Sequence, residues 1–506
     1  MQATITHAAV RAAPAASSRA AAVPARERAR RRLVAVVLLI YLLLIFEGAL
    51  RKWAFPQASL YLFFVRDPFV LYAYFLATVH GLWPKRSYWL TAIVVVAALG
   101  VLICALQLMI DHSGQSNRLV LAAYGWRNYF LYAPLAFLVG AQFRAKDLAR
   151  VARWTLLLSV PMAVLVTAQF AAPPNAAINV GTGSDRALQF VGLVQTAEHT
   201  RPMGTFSSQQ GQVQFVASGV ALFFALIFLP ARNRPVGRWV LVLAAGGLAT
   251  LLALSGSRTT VLHCGLIAVA GMALVLVGRG AALKFRSLAL PIALAAAFAV
   301  LYPIVFQEGF EAFSQRWETA AKTENKIFQG GVYGRALYGF VDFMRLFGET
   351  PVLGYGVGLG GNASTTLGVD INGVDPLALA ETDWARHILE LGSIFGSAYI
   401  VLRIVLAAWL GVLVLRATRR GSGALPLLLY AYVSYLLLLG QITGQGAVNG
   451  YAWLFMGFCI AAANEQLRGK GSASDGAPPP PATAAPVRGR ALVTTRGFTR
   501  TGSRAS

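Results

Sequence analysis

Apolar runs close to twenty residues long recur from end to end of this chain, and their length limits the fold more than any motif does. Crossing a hydrocarbon core of roughly 30 Å takes about twenty helical residues. The runs fall at about 33–50, 60–79, 88–110, 119–140, 151–172, 211–230, 239–255, 259–278, 287–306, 387–415, 425–443 and 447–464. A hydrophobic fraction of 57% with 13% charged residues lies far outside the range of a soluble domain. The expectation is an all-α polytopic membrane protein of about twelve transmembrane helices. The first run should stay as an uncleaved span, because Glu47, Arg51, Lys52 and Trp53 stand where a signal peptide would have its small-residue cleavage site.

The net charge of +24 suggests nucleic acid until its placement is considered. The Ala-, Arg- and Pro-rich stretch 1–32 and the tail 465–506 carry 11 of those charges, and both read as disordered basic ends. Most of the rest sits in every second link between spans. These links hold Lys85-Arg86, then Arg144 to Arg153, then Arg232, Arg234 and Arg238, then Arg279, Lys284 and Arg286, then Arg416, Arg419 and Arg420. Such a bias marks cytoplasmic links, so both termini are expected inside and the two large loops, 173–210 and 307–386, outside. The partner implied for the basic ends is membrane lipid, not nucleic acid. Cys104, Cys264 and Cys459 lie in apolar runs, which predicts buried thiols without a disulfide.

The second large loop is the polar interval of the chain. From Gln307 to Asp383 it holds ten of the twenty acids, with many aromatic residues and amphipathic stretches such as Ala336–Phe347, and it reads as a cap over a site. Gly356, Gly358 and Gly361 match a dinucleotide fingerprint by spacing, but no strand precedes them, so a tight backbone turn is expected. Arg66-Asp67 is expected to neutralise itself, and Arg127 to snorkel to the surface. Ser255-Gly256-Ser257-Arg258 has no acid nearby in sequence and leaves room for an anion; Arg201 should lie on the same outer side. Glu381, Asp383, Arg386 and His387 form the densest ionisable cluster, at the start of a span.

Taken together, several stretches resemble the O-antigen polymerase and ligase membrane proteins. They are Ser255–Arg258, Arg201–Phe206, Arg335 with Pro351-x-x-Gly354-x-Gly356-x-Gly358, and Glu390-x-Gly392-x-x-x-Gly396. Phe46–Trp53 and Val65–Pro68 resemble an exopolysaccharide-polymerase subgroup. The resemblance covers roughly 33–464 and implies transfer of sugar from an undecaprenyl-diphosphate-linked donor to a glycan acceptor at the outer face of the bacterial inner membrane. It implies Arg258, Arg201, Arg335 and Arg386 as diphosphate-binding groups. No D-x-D motif occurs, so no metal or other cofactor is implied. A chain-length regulator and a flippase are the protein partners it suggests.

The family places a His nine residues before its Glu-x-Gly, and counting back from Glu390 that position holds Glu381. The catalytic set implied is therefore Glu381 with Asp383 and Arg258, and His387 as the substitute base. A ligase adding a finished glycan to lipid A core is the alternative within the family. A transporter or flippase is the alternative outside it, although the halves show no repeat.

Overall fold

The computed structural model describes residues 13–110, 117–182, 201–277, 286–327, 331–361, 364, 380, 382–421 and 423–469. Fifteen helices of nine residues or more organise them. These are α1 (Ala13–Ala49), α2 (Asp67–Val79), α3 (Tyr88–Ile110), α4 (Arg118–Trp126), α5 (Ala133–Gln142), α6 (Ala145–Ala171), α7 (Gln209–Ile227) and α8 (Arg238–Leu254). They continue with α9 (Arg258–Val277), α10 (Arg286–Val305), α11 (Gln307–Ile327), α12 (Gly331–Arg345), α13 (Asp383–Arg420), α14 (Leu425–Leu439) and α15 (Gly446–Gly469). No strand occurs among the described residues.

Six of these helices are long and apolar enough to cross a membrane: α1 with the π-turn that extends it, α3, α6, α7, α13 and α15. Helices α2, α8 and α14 and parts of α9 and α10 are apolar but shorter. Large apolar side chains also face outward, among them Leu71 and Phe75 on α2, Val94, Val95 and Leu102 on α3, Val242 and Leu243 on α8, and Val401 and Val412 on α13. A soluble protein does not expose apolar surface on this scale, whereas lipid tails cover it without cost. The chain is a membrane-embedded helical protein.

Two ends of the bundle are fixed by contacts. At one, Arg26 bonds to the Gly81 carbonyl, Arg30 to the Gln142 carbonyl and Asp147, and Asn464 to the Gly140 carbonyl. The start of α1 and the end of α15 therefore lie at the same, basic end. At the other, Lys52 bonds to the Gly204 carbonyl, Gln209 to the Ser255 carbonyl, and Tyr302 to the Ala253 and Gly309 carbonyls. The amphipathic α11 follows directly there, so this is the cap end. Close packing of α5 on α15 depends on small residues: a Cβ on Gly457 would lie 2.7 Å from Val139 Cβ and 2.9 Å from the Ala136 carbonyl oxygen.

Several expectations change. The stretch 1–32 is not disordered throughout, because α1 begins at Ala13 and Arg30 is tied to Glu27 and Asp147; residues 1–12 and 470–506 lie outside the described residues. The run 119–140 is not one helix. Pro134 removes an N–H at the start of α5, and a π-turn over Arg127–Leu131 separates α4 from α5. Arg66 and Asp67 do not neutralise each other, since neighbouring residues at a helix start point about 100° apart. Arg66 Nε instead binds Glu47 Oε2 at 2.8 Å, and Arg127 grips both Asp67 oxygens at 2.6 and 2.8 Å. Arg127 is thus buried, not snorkelling, and Tyr132 also donates to Asp67 at 2.7 Å. The three cysteines are buried and free.

Candidate functional site

The site is built on a reversal inside α13. In a straight helix, Asp383 and Arg403 would stand about 30 Å apart, yet their side chains form an ion pair. Gly392, at φ +78°, turns the chain back so that Asp383–Leu391 packs antiparallel against the residues that follow. The His387 and Tyr399 rings meet at 4.8 Å, and a Cβ on Gly396 would lie 2.5 Å from the His387 carbonyl oxygen. Only glycine suits position 392, because the backbone is left-handed and a Cβ would run into the Val352 carbonyl. Thr382 starts the helix by accepting the Ala385 N–H at 3.2 Å, and its hydroxyl donates to the buried Asp342 of α12.

Arg403 ties this hairpin to α14 with every donor it has. Nε donates to the Leu437 carbonyl at 2.8 Å, and Nη2 to those of Leu436 and Gly440 at 3.1 and 3.0 Å. Nη1 donates to Asp383 Oδ2 and, at 2.7 Å, to His387 Nε2. A guanidinium has no lone pair to offer, so Nε2 must accept and the His387 proton sits on Nδ1, donated to Tyr129 Oη at 2.9 Å. Asp383 Oδ1 takes Arg386 Nη1 at 3.0 Å and the Thr443 hydroxyl at 3.2 Å. Asp383 and His387 are therefore both buried and fully engaged.

Beside this knot lies a second, incomplete arrangement. Arg386 is buried between Gly360 and Gly444, where a Cβ on either would collide with its side chain. Its bond to Asp383 uses one donor, and its Nε has no hydrogen-bond partner among the described residues. Glu390, one helical turn on, accepts the Gly360 N–H at 2.7 Å through Oε1, while Oε2 has no close hydrogen-bond partner among the described residues, although the Tyr129 hydroxyl and the Gly358 N–H also face the carboxylate. Above them runs the turn Gly354–Gly361, in which Gly354, Gly356 and Gly358 all have positive φ. Gln107 of α3 pins this turn by donating to the Leu353 and Glu390 carbonyls at 2.6 and 2.7 Å and accepting the Val357 N–H at 3.0 Å. Gly358 sits on Gly125 of α4, where neither tolerates a side chain.

The Arg201 and Arg258 side chains come together at the cap end. Arg201 is half-buried; its Nη1 donates to Gln209 Oε1 at 3.3 Å, and its Nε lacks a hydrogen-bond partner among the described residues. Burial, and then repulsion from the Arg258 cation, hold its pKa below the usual guanidinium value. Arg258, the first residue of α9, stacks 5.6 Å over the Trp317 ring of α11. The left-handed Gly256 makes the bend that presents it. The segment between α14 and α15 joins this pair to the hairpin: Gln445 meets Ser208 at 3.4 Å, Gly444 lies on Arg386, and Thr443 binds Asp383.

The structure thus brings Asp383, Arg386 and His387 together, and separately Arg201 with Arg258. Glu381 lies outside the described residues, as does the side chain of Arg335, whose backbone belongs to α12. Sequence reasoning passed over Arg403, although a lone arginine within an apolar helix was a usable signal, and it passed over Tyr129 and Gln107, for which the sequence holds none. No known protein family matches this chain, and no curated protein matches it.

Proposed function

We propose that this protein is a membrane glycosyltransferase that polymerises undecaprenyl-diphosphate-linked oligosaccharide repeats into a surface polysaccharide at the outer face of the bacterial inner membrane. In this reading the chain crosses the bilayer twelve times, the basic end is cytoplasmic, and the cap end faces outward with α11 and α12 over it. The observation that carries the reading is the meeting of Arg201 and Arg258. Arg201 is half-buried, carries an Nε with no hydrogen-bond partner among the described residues and feels the Arg258 cation beside it, an arrangement that an anion of high charge would relieve.

The chemistry required is displacement at an anomeric carbon. A sugar hydroxyl attacks, and the bond to the lipid diphosphate breaks with its electron pair leaving on the phosphate oxygen. Arg201 and Arg258 stabilise that developing charge through paired donors, work that falls to a metal ion in other transferases. Asp383 and His387, consumed by Arg403, hold the hairpin in place and so act as positioning residues. Arg386, one turn from Glu390, lies nearer the acceptor than the diphosphate.

The test is complementation of a deletion strain, scoring polymer by gel, lipid-linked repeats by extraction and protein by immunoblot. Arg258→Lys and Arg201→Lys each keep the charge but lose the planar fork. Both should lose most polymer at normal protein level while lipid-linked repeats accumulate. Near-normal polymer from both variants would overturn the reading.

A further inference from the structure

We infer that Arg386 and Glu390 form the binding site for the acceptor hydroxyl, and that Glu390 Oε2 takes its proton. This rests on the transfer reaction proposed above. Arg386 and Glu390 are both more than nine-tenths buried, and each keeps one polar atom without a hydrogen-bond partner among the described residues. The two atoms are of opposite kind: Arg386 Nε is a donor, Glu390 Oε2 an acceptor. Leaving a buried charged group unsatisfied costs free energy that proteins seldom leave unrecovered. One small group satisfies both at once. A hydroxyl donates its hydrogen to the carboxylate and accepts from the guanidinium through its oxygen lone pair.

The surroundings suit such a guest. Arg386 and Glu390 are four residues apart on one helix and so share a face. Gly360 and Gly444 pack directly on Arg386, so two loop backbones hold the guanidinium in place beside Glu390. Glu390 is held in place through its other oxygen by the Gly360 N–H, and Arg386 through its bond to Asp383, so neither must reorganise to meet the ligand. Gln445 joins this loop to Ser208, next to the Gln209 that binds Arg201, placing the acceptor site and the arginine pair on the same cap-end segments.

The balance of the step is complete. The acceptor O–H bond breaks and its proton passes to Glu390 Oε2. The oxygen forms a new bond to the anomeric carbon of the lipid-linked donor, whose bond to diphosphate breaks with the electron pair. Glu390 then releases the proton to solvent.

Glu390→Gln separates this role from a structural one. Glutamine keeps the oxygen that accepts the Gly360 N–H but cannot take a proton. In proteoliposomes given lipid-linked oligosaccharide, Glu390→Gln should lower the transfer rate about 10²-fold or more. Binding of inorganic diphosphate, measured by calorimetry, should remain at the wild-type value. Wild-type transfer by Glu390→Gln would overturn the inference. Loss of diphosphate binding on Arg258→Gln alongside an active Glu390→Gln would leave the transfer reading standing and this inference fallen. If neither variant departs from wild type, the transfer reading itself fails. Should Glu390→Gln be absent from the membrane, the wild-type protein answers: dicyclohexylcarbodiimide should label Glu390 and abolish transfer, with acceptor sugar protecting. Full transfer after treatment, with no adduct on Glu390, would overturn the proposal.

Discussion

Replacing Arg403 with methionine tests the hairpin directly. The substitution keeps much of the volume and removes five hydrogen bonds at once. Asp383 retains Arg386 and Thr443, so its charge is not stranded, and the ionic part of the loss falls at the low end of the 3–5 kcal/mol that breaking a buried pair costs. The Leu436, Leu437 and Gly440 carbonyls lose their side-chain donor, at about 1 kcal/mol each. The sum, roughly 6 kcal/mol, is comparable with the whole stability of many domains. Arg403→Met should therefore yield little monodisperse protein in detergent, with a lower midpoint in thermal size-exclusion assays. Arg403→Lys keeps the charge and at most three donors and should fall between. Adding Asp383→Asn to Arg403→Met should recover part of the loss, because the surplus carboxylate goes too. A wild-type midpoint for Arg403→Met, or a double variant no better than the single, would refute the argument.

Gly392→Ala should unfold the same turn, seen as loss of extractable protein, whereas Gly246→Ala in α8 should be neutral because nothing lies within 4 Å of the added methyl. Arg258→Gln removes the cation beside Arg201, so inorganic diphosphate should raise the thermal midpoint of the wild type and not that of the variant. Exchanging charges as Asp67→Arg with Arg127→Asp should restore protein level better than either single change, measured by immunoblot, while pairing Asp67→Arg with Arg66→Asp should not. Reporter fusions at about residues 190 and 360 should report the side opposite to those at 235 and 420.

Much of the fold was legible because lipid imposes one rule on every span. Run length gave helix positions close to those found, and α11 and α12 fall within the polar interval. The misreadings arise where local pattern and spatial partner part company. Arg66 and Asp67 are adjacent and opposite in sign, so self-neutralisation looked sufficient; their partners, Glu47 and Arg127, lie in other helices. At Gly392 the sequence shows only one more glycine in a helical run. Its positive φ doubles the helix back and puts His387 against Arg403, a contact no spacing rule anticipates. Glu390 was read as part of a motif, yet its importance lies in one unbonded oxygen, which only packing reveals.

The knot at Arg403 also sets an order of assembly. The carbonyls that receive its guanidinium lie 33 to 37 residues further along the chain, and Thr443 lies 60 beyond Asp383. While the ribosome is still producing α14, Arg403 and Asp383 have chiefly each other. An isolated arginine or aspartate costs about 2.5–3.5 kcal/mol at mid-membrane on insertion scales, so an early ion pair across the Gly392 turn is the cheapest form in which this segment can leave the translocon. On this reasoning the hairpin is expected to close first and α14 to dock onto it afterwards. Truncations ending between Arg420 and Leu436 should then expose a segment that inserts yet stays a substrate for membrane quality-control proteases.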